Sequence, residues 1–167
     1  ASARPVDALI ARGLAEAGAR RVIATNTLIL IGPAGGKPVT IETLDTLPAG
    51  ERIAVGDPGA VPAGQYAKET LQKLGLWDRL AGRLVLGGDV GAVLAYARRG
   101  EVAAAFVYRT EIRGVEGVVE LDEAKGSAAP RVEVVATVIK GAPGADEARA
   151  FLDFLSSAEG QAALAGL

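Results

Sequence analysis

The apolar positions change period several times along the chain, and each change marks an element. Val6, Leu9, Ile10 and Leu14 recur at helical spacing, which predicts a helix over 5–17 with Gly18 as its stop. Val22 to Ile31 is an extended run, β-rich at both ends, with a small polar patch of Thr25-Asn26-Thr27 at its centre. Gly32-Pro33 and Gly35-Gly36 break it. Beyond a short helix at 41–47, strands and helices alternate. A strand at 52–55 precedes a helix at 63–74 that has Pro62 at its start and Gly75 at its end. A strand at 83–86 precedes a helix capped by Asp89 and closed near Arg99 by Gly100. A strand at 102–108 and an extended segment at 115–121 follow. Residues 131–140 form a second long extended run, again small and polar at its midpoint, Ala136-Thr137. Ala148, Phe151, Leu152 and Leu155 then mark an amphipathic helix, and Ser156 with Glu159 reads as a capping box for a last short helix.

Strands alternating with helices predict an α/β sheet with mostly parallel strands. The two long extended runs flank a self-contained middle, as a pair of crossovers between two lobes would. The expected division is therefore 1–25 as a remnant of one lobe, 26–136 as a complete α/β lobe, and 137–167 as the return to the first. The first lobe has too few elements to cover a sheet on both faces, which leads to the expectation that further material precedes Ala1. Closure of the lobes would hinge near Thr25–Thr27 and Ala136–Thr137.

Composition narrows the chemistry. Half of the 167 residues are apolar and 23% are charged, a globular rather than a disordered balance. The net charge of -2 offers no basic excess for a phosphate backbone, so no nucleic-acid partner is expected. No apolar run has the length of a membrane span. Cys and His are absent, which removes thiol catalysis, disulfides, the Ser-His-Asp triad and the usual zinc ligands together. No acid–base pair stands at a sensible spacing, so no enzymatic activity and no catalytic residue is expected. The P-loop and the Gly-x-Gly-x-x-Gly helix start are both missing, which disfavours nucleotides.

What remains is backbone chemistry. After the strand ending at Val55, Gly56-Asp57-Pro58 turns the chain into a helix that starts at small residues. The N–H groups of Ala63, Gly64 and Gln65 would point out of that helix start, where the helix dipole adds partial positive charge. This describes an anion site without a cationic side chain, and it describes equally a plain strand–helix turn. Asp57, before a proline in a Gly-rich turn, reads as a turn residue. Gly87-Gly88-Asp89-Val90-Gly91 repeats the arrangement at the next junction, either as a second donor set or simply as an N-capped helix. Tyr108 ends a third strand, with its hydroxyl directed at a ligand or at water. If the strands are neighbours and parallel, all three features share the carboxyl edge of the sheet, where open α/β sheets bind ligands.

These residues also carry a resemblance. Ile53-Ala54-Val55-Gly56-Asp57-Pro58, Val61-Pro62-Ala63-Gly64-Gln65-Tyr66-Ala67-Lys68-Glu69 and Leu74-Gly75-Leu76-Trp77-Asp78 closely resemble the periplasmic molybdate-binding proteins of molybdate ABC transporters. Asp89-Val90, Ala95-Tyr96, Arg99-Gly100-Glu101-Val102, Val107-Tyr108 and the C-terminal helices extend the match over essentially the whole chain. The resemblance implies a type II periplasmic-binding-protein fold with a cleft between two α/β lobes. It implies molybdate or tungstate as ligand, held as a tetrahedral dianion by neutral donors, with no cofactor and no metal bound directly. It implies delivery to the permease subunits of an ABC importer, a periplasmic location and no membrane span of its own. By motif, the ligand-binding groups would be the N–H of Ala63, the N–H of Val90 and the hydroxyl of Tyr108. The serine-bearing anion loops of the family's first lobe have no counterpart here, so this chain alone would hold half a coordination shell and bind weakly. An oxyanion-sensing effector domain of a regulator, with the same two-lobed architecture, is the alternative that the resemblance leaves open.

Overall fold

The computed structural model describes residues 2–165. Along the chain the regular elements are α1 (Ala3–Ala11), β1 (Arg21–Asn26), β2 (Leu28–Pro33), β3 (Ile53–Gly56), α2 (Pro62–Lys73), α3 (Trp77–Leu80), β4 (Leu84–Gly87), α4 (Val90–Arg98), β5 (Ala104–Tyr108), β6 (Val118–Glu123), β7 (Val132–Ala136), α5 (Ala145–Ser156) and α6 (Ala158–Ala165). They fall into two units: one built from Ala1–Asn26 and Arg131–Leu167, the other from Thr27–Pro130. The extended run at 22–31 divides at Thr27 into β1 and β2, which belong to different sheets. β7 pairs with β1, so the terminal unit resumes at Arg131 and not at 137.

The unit Thr27–Pro130 carries a five-stranded sheet in the order β4-β3-β5-β2-β6. β3 runs parallel to both β4 and β5, whereas β2 is antiparallel to β5 and to β6. The sheet is therefore mixed: β3, β4, β5 and β6 share one direction, as the expectation of mostly parallel strands has it, and β2 alone runs against them. A strand buried on both faces reads as an unbroken apolar run whichever way it points. Period-two alternation then sorts the side chains. Leu28, Leu30, Ile53, Val55, Ala104 and Phe106 face one core with Ala67 and Leu71 of α2. Ile29, Ile31, Ala54, Ala105 and Val107 face the other, with Val93 and Ala97 of α4. Trp77 packs at the edge of the first core, with the Lys68 ammonium 5.4 Å above its ring.

The terminal unit is an antiparallel ribbon, β1 on β7, with Arg21 opposite Ala136 and Asn26 opposite Val132. Ile23 and Val138 pack against Leu152 of α5. The first helix stops at Ala11, short of the expected 17. Arg12 caps it and Gly13, at φ 71°, turns the chain left-handed while its N–H and that of Leu14 bond Ile10 and Leu9. Leu14 lies on the helical period but past the stop. The last helix is capped by Ser157, whose Oγ accepts from the Gly160 N–H at 3.2 Å. Ser156, the residue expected to cap it, instead bonds back to the Leu152 carbonyl at 2.9 Å, so the expected capping box is absent.

Candidate functional site

Topology places the three expected site groups before any side chain is considered. From β3 the chain passes through α2 on one face of the sheet to β4, then through α4 on the other face back past β3 to β5. Adjacent strands β3 and β4 thus release their chains to opposite faces. Such a divergence leaves a crevice at the carboxyl ends of the strands. Ala63 and Val90 lie in the first turns of the two diverging helices, and Tyr108 ends β5 on the other side of β3. All three belong to the unit Thr27–Pro130 and to one edge of its sheet.

The first junction is built by close backbone contact. Asp57 accepts from Gly59 N at 2.8 Å through its side chain and from Val61 N at 2.7 Å through its carbonyl, while its own N–H bonds Gly87 O at 2.8 Å. Its role is the turn, as expected. The turn sets α2 directly on β3: a Cβ on Gly64 would stand 1.9 Å from the Gly56 carbonyl oxygen. Of the three expected donors, Gln65 is lost, because its N–H bonds the Val61 carbonyl at 3.1 Å. The sequence placed the helix start correctly but not the carbonyl that already closes its first turn. The N–H groups of Ala63 and Gly64 have no backbone acceptor among the described residues, and Ala63 is only 1% exposed. Buried N–H groups seldom stay unpaired, and the first N–H groups of a helix have no partner within it, so this pair retains donor capacity at the helix start.

The second junction resembles it, with one difference. Asp89 Oδ1 accepts from the Ala92 N–H at 2.7 Å, a true N-cap. The N–H groups of Val90 and Gly91 have no backbone acceptor among the described residues. Asp89→Ala should cost about 1 kcal/mol, whereas Asp89→Asn, which keeps an acceptor, should stay within about 0.5 kcal/mol of the parent. Urea unfolding of the two variants checks this; equal losses would remove the cap from the account.

Tyr108 is half-buried, and its phenol is pushed up to about 12, first by burial and then by the neighbouring Tyr66 and Glu111. It is therefore a neutral hydroxyl donor at physiological pH. Tyr66 lies one turn beyond Ala63 on α2, so helix and strand end are brought together here. The sequence block that contains Tyr66 was informative, but nothing in its spacing pointed to this neighbour. The cation next in the chain is already paired. Arg109, next to Tyr108, is held by Glu120 and Glu123, which raise its pKa further above the usual guanidinium value. Two cavities in this unit are lined by other residues, one of about 220 Å³ beside Thr70 and Asp122 and one of about 490 Å³ beside Arg109 and Glu123. The candidate site is thus an edge of neutral donors, distinct from either hollow. Among the described residues no cluster of acidic, His or Cys side chains could hold a metal ion, and no helix is long and apolar enough to cross a membrane.

Such a donor set suits an oxyanion whose charge is spread over several oxygens. The sequence pattern of the bacterial extracellular solute-binding proteins matches residues 1–166. The chain belongs to that family. Among its relatives, YvgL of Bacillus subtilis (strain 168), assigned as an ABC transporter substrate-binding lipoprotein, is 38% identical over 135 residues, 80% of the chain and 51% of YvgL. The molybdate-binding protein ModA of Escherichia coli (strain K12) is 36% identical over 141 residues, 81% of the chain and 54% of ModA. A solved substrate-binding domain assigned to a molybdenum ABC transporter of Clostridium difficile superposes with a TM-score of 0.79 at 29% identity, covering 95% of the chain and 69% of that domain. The chain spans about half the length of the curated relatives it matches. Its mixed α/β architecture is that of the type II periplasmic binding proteins.

Proposed function

We propose that this chain binds molybdate, or its congener tungstate, at the carboxyl edge of β3, β4 and β5, and serves an ABC importer outside the cytoplasm. The ligand-binding groups are the N–H of Ala63, the N–H of Val90 and the Tyr108 hydroxyl, with Gly64 N–H beside the first. The observation that carries the reading is the buried Ala63 N–H, without a backbone acceptor among the described residues, at a helix start, with the neighbouring Arg109 already paired. Neutral donors suit a dianion that must be both held and released, because fixed amide dipoles stabilise the charge without forming a permanent ion pair. The family description and the likeness to ModA support transport rather than catalysis, with permease subunits as protein partners. Molybdate and tungstate are larger than sulfate, so selectivity follows from the spacing of the donors.

Amide-resolved NMR of the 167-residue chain tests the reading, since it also detects weak binding. Molybdate is expected to shift the Ala63, Gly64, Val90 and Gly91 resonances, and sulfate to do so at least about tenfold more weakly, a difference near 1.4 kcal/mol. Shifts confined to other residues, or equal responses to the two anions, would refute it.

A further inference from the structure

Arg109 is the guanidinium nearest in sequence to the candidate anion site, one residue beyond Tyr108 and so about 3.8 Å along the backbone. A cation there would ordinarily dominate the recognition of a dianion. Instead, the backbone and the side chain of Arg109 are both committed elsewhere. Its N–H bonds the Thr27 carbonyl at 2.9 Å, continuing the β5–β2 ladder. Its side chain crosses β2 altogether, a span of about two strand spacings, or ~10 Å, to reach β6. There Nε donates to Glu120 Oε2 at 3.0 Å, and Nη2 donates to Glu120 Oε1 and Glu123 Oε2, each at 2.5 Å. Glu120 and Glu123 are the register partners of Ile31 and Ile29, whose side chains face the α4 core. The fork is bidentate on one carboxylate and shared with a second, the arrangement that fixes a guanidinium most firmly. Two carboxylates on one cation also leave the group with a net negative charge.

An exposed ion pair of this kind contributes little to stability, and Arg109 remains 43% exposed. Its geometric consequence is larger than its energetic one. We propose that Glu120 and Glu123 form an electrostatic leash that keeps Arg109 off the anion edge, so that the site discriminates by neutral hydrogen bonds and donor spacing rather than by bare charge. This rests on the oxyanion reading above. An unpaired guanidinium this near the edge would attract sulfate and molybdate alike, and with a strong dependence on salt.

The test compares the 167-residue chain with E120Q/E123Q, with R109Q and with the triple variant. Each is titrated with molybdate and with sulfate at low and high ionic strength while the Ala63 and Val90 amides are observed. In E120Q/E123Q sulfate binding should strengthen about tenfold, the gap between the anions should narrow, and the sulfate affinity should fall steeply with salt. In R109Q and in the triple variant the preference should match that of the parent. An E120Q/E123Q chain that keeps the parent's preference and salt dependence overturns the leash. The leash is also read without any anion: hydrogen exchange at Arg109 Nε should be slow in the parent and fast in E120Q/E123Q, and fast exchange in both overturns the inference. A chain with slow exchange whose Ala63 and Val90 amides ignore both anions refutes the oxyanion reading instead, and the inference falls with it.

Discussion

Gly64→Ala is expected to lose about 3 kcal/mol or more of folding stability, the largest effect of any single methyl added to the candidate site. The new Cβ would stand 1.9 Å from the Gly56 carbonyl oxygen and 2.4 Å from its carbon. Both are backbone atoms of a strand locked between β4 and β5, so neither can step aside as a flexible side chain would. Relief requires α2 to lift from β3, which opens contacts of Ala67 and Leu71 with the core beneath. Gly88→Ala is the control, because nothing stands within 4 Å of the position its Cβ would take. That variant should remain within about 0.5 kcal/mol of the parent. Urea unfolding midpoints at unchanged slope measure both. Equal midpoints for the two variants would show that the contact between helix and strand is looser than described.

Tyr108→Phe is expected to leave the fold intact and weaken molybdate binding by about 1–3 kcal/mol, a loss of between about fivefold and about 150-fold. Only a hydroxyl is removed, at a half-buried strand end, so the loss reports a bond to the ligand and not a packing defect. An unchanged affinity would take the phenol out of the site. The acid–base behaviour of the same residue gives a further expectation. With the phenol pushed up to about 12 and no histidine in the chain, the Tyr108 contribution to binding should be flat from about pH 7 to 10. The sign for stability is also fixed. The folded chain retains the phenolic proton to higher pH than an unfolded tyrosine near 10, so the Tyr108 contribution is fully present below pH 10 and is lost as pH rises toward 12. Alkaline unfolding that begins earlier in the parent than in Tyr108→Phe checks this; identical alkaline profiles would count against it.

Much of the candidate edge was legible because it depends on local chemistry. A strand closed by Gly-Asp-Pro, a proline at the helix start and an N-capping aspartate each fix geometry within a few residues. Those elements appear where the pattern places them, and they bring Ala63, Val90 and Tyr108 to one edge. What the pattern could not show depends on partners distant in sequence. The antiparallel insertion of β2 between β5 and β6 leaves no mark on an apolar run that is buried on both faces. The Arg109 fork joins the residue after β5 to two residues of β6, and charges at those spacings read equally as a solvated face. Errors at element ends have nearby causes. Leu14 kept the helical period after Gly13 had already turned the chain, and the cap expected at Ser156 is made one residue later, by Ser157.

One half of the molecule is continuous in sequence and the other is not, and this orders the events of assembly. The ribbon of β1 with β7 needs Asn26 to meet Val132 across the whole of the intervening unit. In an unstructured chain that encounter closes a loop of about 100 residues and bears its full entropic cost. Once Thr27–Pro130 has folded, the Ala124 N–H is bonded to the Leu28 carbonyl at 3.3 Å and the Thr70 hydroxyl to the Ala128 carbonyl at 3.1 Å, so the exit is already tethered close to the entrance. The intervening unit then acts as a clasp, and the ribbon forms between strands delivered by a preassembled body. During synthesis the unit Thr27–Pro130 can fold before β7 is available to pair with β1.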